Sequence, residues 1–369
     1  MRILIVGAGI AGLATHRALS QRGFKARIVE RSNFAGIGGA ALFLPGNGVR
    51  ALGDLGLFDA LMDVSHPIDY QRFLDETGRL LNEIDTNAFW RDVAPCRTLK
   101  RAALWDLLKE GVSDDAIQHR RIAAISSSHY SSRVTFQDGE TEEFDLVIGA
   151  DGVNSTVRDA VFPEAAAPKY VGNVCWRFIV PNICNVEQWT VMLGTTHSLL
   201  AKPISPSEVY VYADMSADDA HRAIFSSSTP LKPLFQDIAG PLYQLLELST
   251  KAKVHYGELV SLQLHNWCRN RVVLVGDAAH ASPPSMAQGA SMAIEDALVL
   301  ADELAETLCV DTALVRYETR RKRRVDWVHS QCSARDNMRR FPRGLRNALL
   351  RFAGARLYQR SYSLLAGPI

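Results

Sequence analysis

Apolar and polar positions alternate between two rhythms along this chain. Ile3 to Val6 is a short continuous apolar run, which predicts a parallel strand buried on both faces. A turn, Gly7-Ala8-Gly9-Ile10-Ala11-Gly12, follows it. Ile10, Leu13, Ala14 and Ala18 then recur at helical spacing up to Gly23, and Lys25 to Val29 predicts a second strand ending in Glu30. From Pro67 to Asp85 the pattern is short and alternating, and from Arg101 to Leu108 it is helical again, so the chain leaves one unit and re-enters it. Arg133 to Phe136 and Glu142 to Ile148 predict strands around the Asp138-Gly139 turn, the second leading into Gly149-Ala150-Asp151-Gly152.

Between Tyr170 and Leu264, strand-like runs such as Glu208 to Ala213 are separated by proline and serine clusters, which predicts a mainly β unit. Arg271 to Val275 is another buried-strand run, ending in Gly276-Asp277. Beyond it Ala293, Ile294, Ala297, Leu298, Ala301 and Leu304 mark a long amphipathic helix. The predicted class is α/β: a Rossmann-like unit over 1–66, 98–165 and 266–325, interleaved with a mainly β unit over 67–97 and 166–265, then a C-terminal helical segment over 326–369.

Composition narrows the classes of function. With 369 residues, 47% of them hydrophobic and 22% charged, the chain has the make-up of a globular protein with a sizeable core. A net charge of +1 provides no overall field for nucleic acid or an anionic bilayer. The six cysteines show no metal-ligand spacing, so no metal site is predicted and the thiols read as reduced. The apolar start is too short for a signal segment, and no run is long enough to span a membrane, which points to the cytoplasm. From Arg316 onward fourteen Lys/Arg face three acidic residues, with Leu345, Leu349, Leu350, Phe352 and Leu357 interleaved. That tail reads as a helical face packed on its own acidic body, with peripheral membrane contact as the alternative.

The glycine motif gains force from its place between a predicted strand and a predicted helix. Gly7 allows the tight turn, Gly9 lets a pyrophosphate approach the backbone, and Gly12 lets the helix pack on the sheet. The helix start at Ile10 and Ala11 offers unpaired N–H groups to phosphate. Glu30, eighteen residues after Gly12, suits ribose hydroxyls and repels a 2′-phosphate, which favours FAD or NAD over NADP here.

Two further segments, Asp145-Leu146-Val147-Ile148-Gly149-Ala150-Asp151-Gly152-Val153-Asn154-Ser155-Thr156-Val157-Arg158 and Arg271-Val272-Val273-Leu274-Val275-Gly276-Asp277-Ala278-Ala279-His280, resemble signatures of the flavoprotein monooxygenases with the p-hydroxybenzoate hydroxylase fold. The resemblance extends through Gly38 to Leu52, Trp176-Arg177 and Gln288-Gly289, and is closest to the salicylate and urate hydroxylase branch. It implies that the Rossmann-like unit binds FAD tightly and that the β unit receives the substrate. NADH or NADPH would bind transiently, which accounts for the single glycine fingerprint.

On the resemblance, Asp277 meets a ribityl hydroxyl beside Gly276 at the pyrophosphate, Arg101 reaches the extended FAD, Arg31 sits by the adenosine ribose and Ile122 by the adenine. Gly289 and Ala290 open a helix whose positive end faces the flavin edge where charge accumulates on reduction. Asp151 reads either as a cofactor residue or as the cap of the following turn, and Arg158 and His280 as structural. The implied reaction is hydroxylation of an aromatic or heteroaromatic small molecule with O₂, through a flavin C4a-hydroperoxide. Tyr210, Tyr212 and His197 are candidate bases, Pro284 a flavin-side residue, and Phe43, Trp176 and Arg177 candidate pocket residues. The protein is expected to be a monomer or homodimer.

One departure stands out. Where relatives read P-x-x-G-Q-G-G, this chain has Pro284-Ser285-Met286-Ala287-Gln288-Gly289-Ala290, and Ala287 lacks glycine's access to positive φ, which predicts a differently shaped loop. The competing readings are epoxidation or oxidative modification of a polyketide antibiotic on the same fold, halogenation, and a flavin-binding scaffold without turnover. Halogenases carry W-x-W-x-I, whereas the nearest segment here is Trp176-Arg177-Phe178-Ile179.

Overall fold

The computed structural model describes the whole chain except residues 33–39 and 166, and the side chain of Asp114. Gly38 and Gly39, at the head of the resemblance stretch, lie outside the described residues.

The buried apolar runs assemble a six-stranded sheet in the order Cys268–Arg269, Val272–Leu274, Leu146–Gly149, Ile3–Val6, Ala26–Glu30, Ile117–His119. All neighbours are parallel except the first pair. Ile3–Val6 and Leu146–Gly149 are buried at every position, as runs without alternation require when both faces are covered. Helices Ile10–Gln21 and Gly289–Glu306 pack against each other over this sheet.

Two elements differ from the sequence reading. The predicted strand Glu142 to Ile148 is two strands: Thr141–Phe144 closes an antiparallel hairpin on Ser132–Phe136, and Leu146–Gly149 joins the parallel sheet. The chain changes sheet at Asp145, whose carboxylate accepts the Arg2 N–H at 2.6 Å while its own N–H donates to the Arg2 carbonyl at 2.9 Å. The helix Gly289–Glu306 is not amphipathic in place: even Glu295 and Asp296 are fully buried. It is clamped between Ile10–Gln21 and the long helix Val310–Arg339.

The second large sheet has seven strands, in the order His255–Ser261, Lys169–Pro181, Glu208–Ser216, His197–Pro203, Trp189–Leu193, Tyr70–Asp75, Leu80–Asp85. Segments from both sides of residues 97–165 thus share one sheet, which is antiparallel apart from the Trp189–Leu193 and Tyr70–Asp75 pair. Strict alternation divides the central strands. Val174, Trp176, Phe178, Leu199, Ala201, Val209, Val211 and Ala213 bury into a core shared with Phe235, Leu242 and Leu245. The intervening residues, Arg177, Ile179, Leu200, Lys202, Tyr210 and Tyr212, look the other way, where a smaller cluster joins Tyr210 to Ala41 and Ile204.

The helix Val310–Arg339 runs unbroken through residue 326, where the sequence pattern had placed a boundary, and Arg343–Ala366 folds back along it. The basic tail is turned onto the body. Arg321 pairs with Glu295 at 2.6 Å and Asp296 at 2.8 Å, and Arg324 with Glu295 at 2.9 Å, all four residues being buried. Arg339 grips Asp214 of the seven-stranded sheet through two hydrogen bonds, 2.7 and 3.0 Å. Among the described residues, no helix is long and apolar enough to cross a membrane.

Candidate active site

The glycine turn is built by exclusion. At Gly7, with φ of +106°, a Cβ would lie 2.5 Å from the Ala150 carbonyl oxygen, and at Gly12 it would lie 1.9 Å from that of Gly7. Only a residue without a side chain lets the strand, turn and helix close this tightly. At Gly9 a Cβ would meet nothing within 4 Å, and Gly9 caps the helix without any side-chain hydrogen bond to its first turn. The free N–H groups of that turn therefore face open space, which fits a pyrophosphate.

Glu30 ends the next strand beside them. Its Oε2 accepts the Ala8 N–H at 2.8 Å, and its Oε1 accepts from the Ser32 N–H at 2.9 Å and the Ser32 hydroxyl at 2.8 Å. Burial pushes its pKa up, but these donors and the Arg31 N–H outweigh it and hold the carboxyl below its usual range. The carboxyl is therefore held as an anion at the end of the strand. Arg31 is exposed just past the strand, and Ile122 lies half-buried at the start of the strand Ile122–Ser127.

Gly276 ties three remote segments together. With φ of +60°, its Cβ would stand 3.1 Å from the Ala11 Cβ and 3.2 Å from the Ala293 Cβ, so the glycine turn, the Val272–Leu274 strand end and the helix Gly289–Glu306 meet there. Asp277 is exposed, and its Oδ1 lies 3.9 Å from where a Gly289 Cβ would be. Desolvation pulls the Arg101 pKa down, and Asp277 opposes that shift while Arg177 adds to it. Among the described residues the buried Nε atoms of Arg101 and Arg177 have no hydrogen-bond partner, so both guanidiniums keep donors in reserve.

Gly289–Glu306 also begins without a side-chain cap, leaving the N–H groups of exposed Gly289 and half-buried Ala290 open. Its start is fixed from below by a reciprocal pair that joins Gln288 to Asn47. Asn47 donates to Gln288 at 2.9 Å and to Glu295 at 2.9 Å, and Gln288 returns a 3.0 Å bond to Asn47. No spacing rule links positions so far apart in sequence.

The loop before this helix holds a correction. Ala287 adopts φ of +50° and ψ of 38°, in the left-handed region that glycine enters most readily, so positive φ is reached here by an alanine. The Ala287 N–H bonds the Pro284 carbonyl at 2.8 Å. The helices hold the loop in place: Arg335 donates to the Ser285 carbonyl at 2.9 Å, Tyr362 to that of Met286 at 2.9 Å, and Ser285 to Asp336 at 2.5 Å. Pro284 itself is exposed.

Other expectations fall differently. Asp151 accepts from Ser155 at 2.5 Å and from the Thr156 N–H, the Thr156 hydroxyl and the Val157 N–H at 2.7 to 3.2 Å. Its carboxylate is committed to the turn and to the helix Thr156–Val161, so the capping alternative is the one realised. Trp176 is not a pocket residue. It is fully buried on the far face of the sheet, donates to the Ser226 carbonyl at 2.8 Å and packs on Phe225 and Tyr256. His197 shares that far face, 2.7 Å from Asp237 and edge-on to Phe235, which removes it as a base for the cleft. Tyr210 and Tyr212 do face the FAD-side unit. Burial raises both phenols well above their ordinary range, so they are hydrogen-bond donors rather than bases. Phe43 is buried against the same region, and Arg177 lies across from Tyr212 in register. Arg158 donates to the Val153 carbonyl at 2.9 Å and His280 lies 2.7 Å from Asp296, both structural.

Residues 1–331 match the family model described as FAD binding domain. The chain is 32% identical to the 2-heptyl-3-hydroxy-4(1H)-quinolone synthase of Pseudomonas aeruginosa, over 90% of this chain and 87% of that protein. It is 27% identical to the FAD-dependent urate hydroxylase of Klebsiella pneumoniae, over 88% and 87% of the two. The structure of Klebsiella pneumoniae HpxO complexed with FAD and uric acid superposes with a TM-score of 0.90 at 25% identity, covering 100% of this chain and 97% of that one.

Proposed function

The chain belongs to the FAD-binding-domain family of flavoprotein monooxygenases, and from that premise we propose that it hydroxylates an aromatic or heteroaromatic small molecule with NAD(P)H and O₂. One observation supports this reading: Gly276 stands against Ala11 and Ala293, Asp277 beside Gly289, and Glu30 on the Ala8 N–H, so two helix starts without side-chain caps and two carboxylates from separate segments lie together.

Bound FAD supplies two-electron redox chemistry and oxygen activation. The chain's own groups do the rest. The N–H groups at Ile10 and Ala11 hold the pyrophosphate, Glu30 the ribose, and Asp277 and Arg101 the linking portion. The N–H groups at Gly289 and Ala290 favour negative charge on the flavin edge, worth most where water is excluded. Phe43, Ile179 and Leu200 keep the reacting face dry. Tyr210 and Tyr212, as neutral phenols, donate hydrogen bonds to a substrate oxygen and hold it in orientation. A cytoplasmic setting, in which the free thiols stay reduced and reduced nicotinamide is at hand, suits a monomeric or homodimeric enzyme of this kind.

The test is NAD(P)H oxidation by the yellow holoenzyme with and without a panel of phenolic and N-heteroaromatic acids, joined to product mass spectrometry. Substrate-stimulated oxidation and a product heavier by one oxygen atom are expected. Absence of both across the panel overturns the reading.

A further inference from the structure

The helix Arg343–Ala366 has apolar side chains on two faces, and the body covers one of them. Arg346, Leu350, Gly354, Tyr358, Tyr362 and Leu365 are buried. At 3.6 residues per turn, Leu345, Ala348, Leu349, Phe352 and Arg356 share the opposite line. Leu345 is 52% and Phe352 83% exposed, and Phe341 and Leu357 are exposed near them. Leu80, at the head of the strand on which this helix packs, is exposed as well. Single exposed apolar side chains are ordinary, but a ridge of them along a helix calls for a partner. The charges are sorted by face in the same way. Arg343 pairs with Glu76, and Arg346 donates to the Leu193 carbonyl at 3.1 Å. Arg351, Arg356 and Arg360 are exposed, and among the described residues none of their side chains has a hydrogen-bond or ion-pair partner. No Asp or Glu occurs between Asp336 and Ile369. In the hairpin beneath the helix, Glu76 and Glu83 are answered by Arg343 and Arg72. The ridge is therefore flanked by uncompensated positive charge, which the chain's net charge of +1 conceals.

We propose that this outer face docks the enzyme on an anionic bilayer, the helix lying flat with Leu345 and Phe352 in the headgroup layer and Arg351, Arg356 and Arg360 on lipid phosphates. Charge complementarity selects the occupant. A second copy of this chain, seated through the same face about a two-fold axis, would set arginines against arginines with no acid between them. A bilayer offers apolar depth and negative charge side by side, and an arginine-flanked apolar ridge is held by both at once. Because the buried face stays on the body, docking requires no unfolding of the helix. No described helix is long and apolar enough to cross the membrane, so the contact is peripheral and reversible. The proposal concerns where the enzyme sits and is independent of which ring its cleft admits.

Holoenzyme is sedimented with sucrose-loaded vesicles of phosphatidylcholine alone and of phosphatidylcholine with about one third phosphatidylglycerol, at low and at high salt. The wild type should bind the mixed vesicles about tenfold or more tightly than the neutral ones, and high salt should release it. The triple variant Arg351→Gln, Arg356→Gln, Arg360→Gln and the double variant Leu345→Ser, Phe352→Ser should each weaken that binding about tenfold or more. Both change exposed side chains only, so FAD content and the unfolding midpoint should match the wild type, and Phe352→Leu should bind as the wild type does. A wild type that ignores the mixed vesicles, or binds the neutral ones equally well, overturns the proposal. So does binding that survives in either multiple variant: loss in the arginine variant alone is attraction without insertion, and loss in the apolar variant alone is insertion without charge recognition. A dimer in analytical ultracentrifugation that Leu345→Ser with Phe352→Ser dissolves, in a protein that leaves the vesicles alone, assigns the face to a second copy instead.

Discussion

Ala287 shows how a single position can depart from a motif and keep its shape. A non-glycine residue in the left-handed region costs roughly 1–2 kcal/mol, because its Cβ crowds the neighbouring carbonyl. Here three side chains from the C-terminal helices hold the loop and absorb that cost. Ala287→Gly should therefore stabilise the protein by about 1 kcal/mol with FAD content unchanged, measured by denaturant unfolding of the holoenzyme. The sequence pattern exposed the substitution but not its outcome, since the clamping partners Arg335, Asp336 and Tyr362 lie some fifty or more positions away. The glycine turn was legible because its chemistry is local. The face each sheet residue takes was not: Trp176 and Arg177 are adjacent in sequence and point to opposite sides, so one is core and the other lines the cleft.

At the scale of elements, the helix Gly289–Glu306 gathers most of the site's geometry, and a buried ionic cluster fixes it. Burial pushes the Asp296 carboxyl up, but His280 and Arg321 overcome that and bring it to about 2, below its ordinary 3.8. A depressed carboxylate contributes stability that is full above its unfolded pKa and lost as pH falls through the folded one. The unfolding midpoint should therefore fall as pH drops from about 4 toward 2, and this portion of the fall should be missing in Asp296→Asn. Arg321→Met strands Glu295 and Asp296 as incompletely answered buried charges and should cost about 3–5 kcal/mol, read by chemical denaturation. Periodicity suggested this helix as amphipathic because acids break its apolar pattern. What it could not reveal is that arginines from the next helix neutralise those acids inside the protein.

Across the whole molecule, the basic C-terminal segment is a brace rather than a loose tail. Tyr317 donates to the Leu274 carbonyl of the six-stranded sheet at 3.1 Å, Arg346 to the Leu193 carbonyl of the seven-stranded one at 3.1 Å, and Arg339 locks onto Asp214, so the last two helices touch both large sheets and, through Tyr362, the loop before Gly289. Removing the residues after Arg340 should leave insoluble protein or protein that loses FAD on gel filtration, rather than a trimmed but active enzyme. The parallel strands Ile3–Val6, Ala26–Glu30 and Val272–Leu274 could be read from their apolar runs, but their order in the sheet could not, because nothing in a buried run names its neighbours. That the basic segment packs on the acidic body was likewise expected from its charge pattern; which carboxylates receive its arginines was not, because surface-like arginine patterns look alike whether water or a carboxylate receives them.

The alternation of the central sheet strands has a practical corollary. Odd positions such as 199, 201, 209 and 211 secure the unit's own interior, whereas the even positions 200, 202, 210 and 212 look into the cleft. A handful of codons can thus be rewritten to admit a different ring while the scaffold beneath is left untouched, and related enzymes could have diverged in diet along this one strip of pleated backbone without renegotiating how they fold.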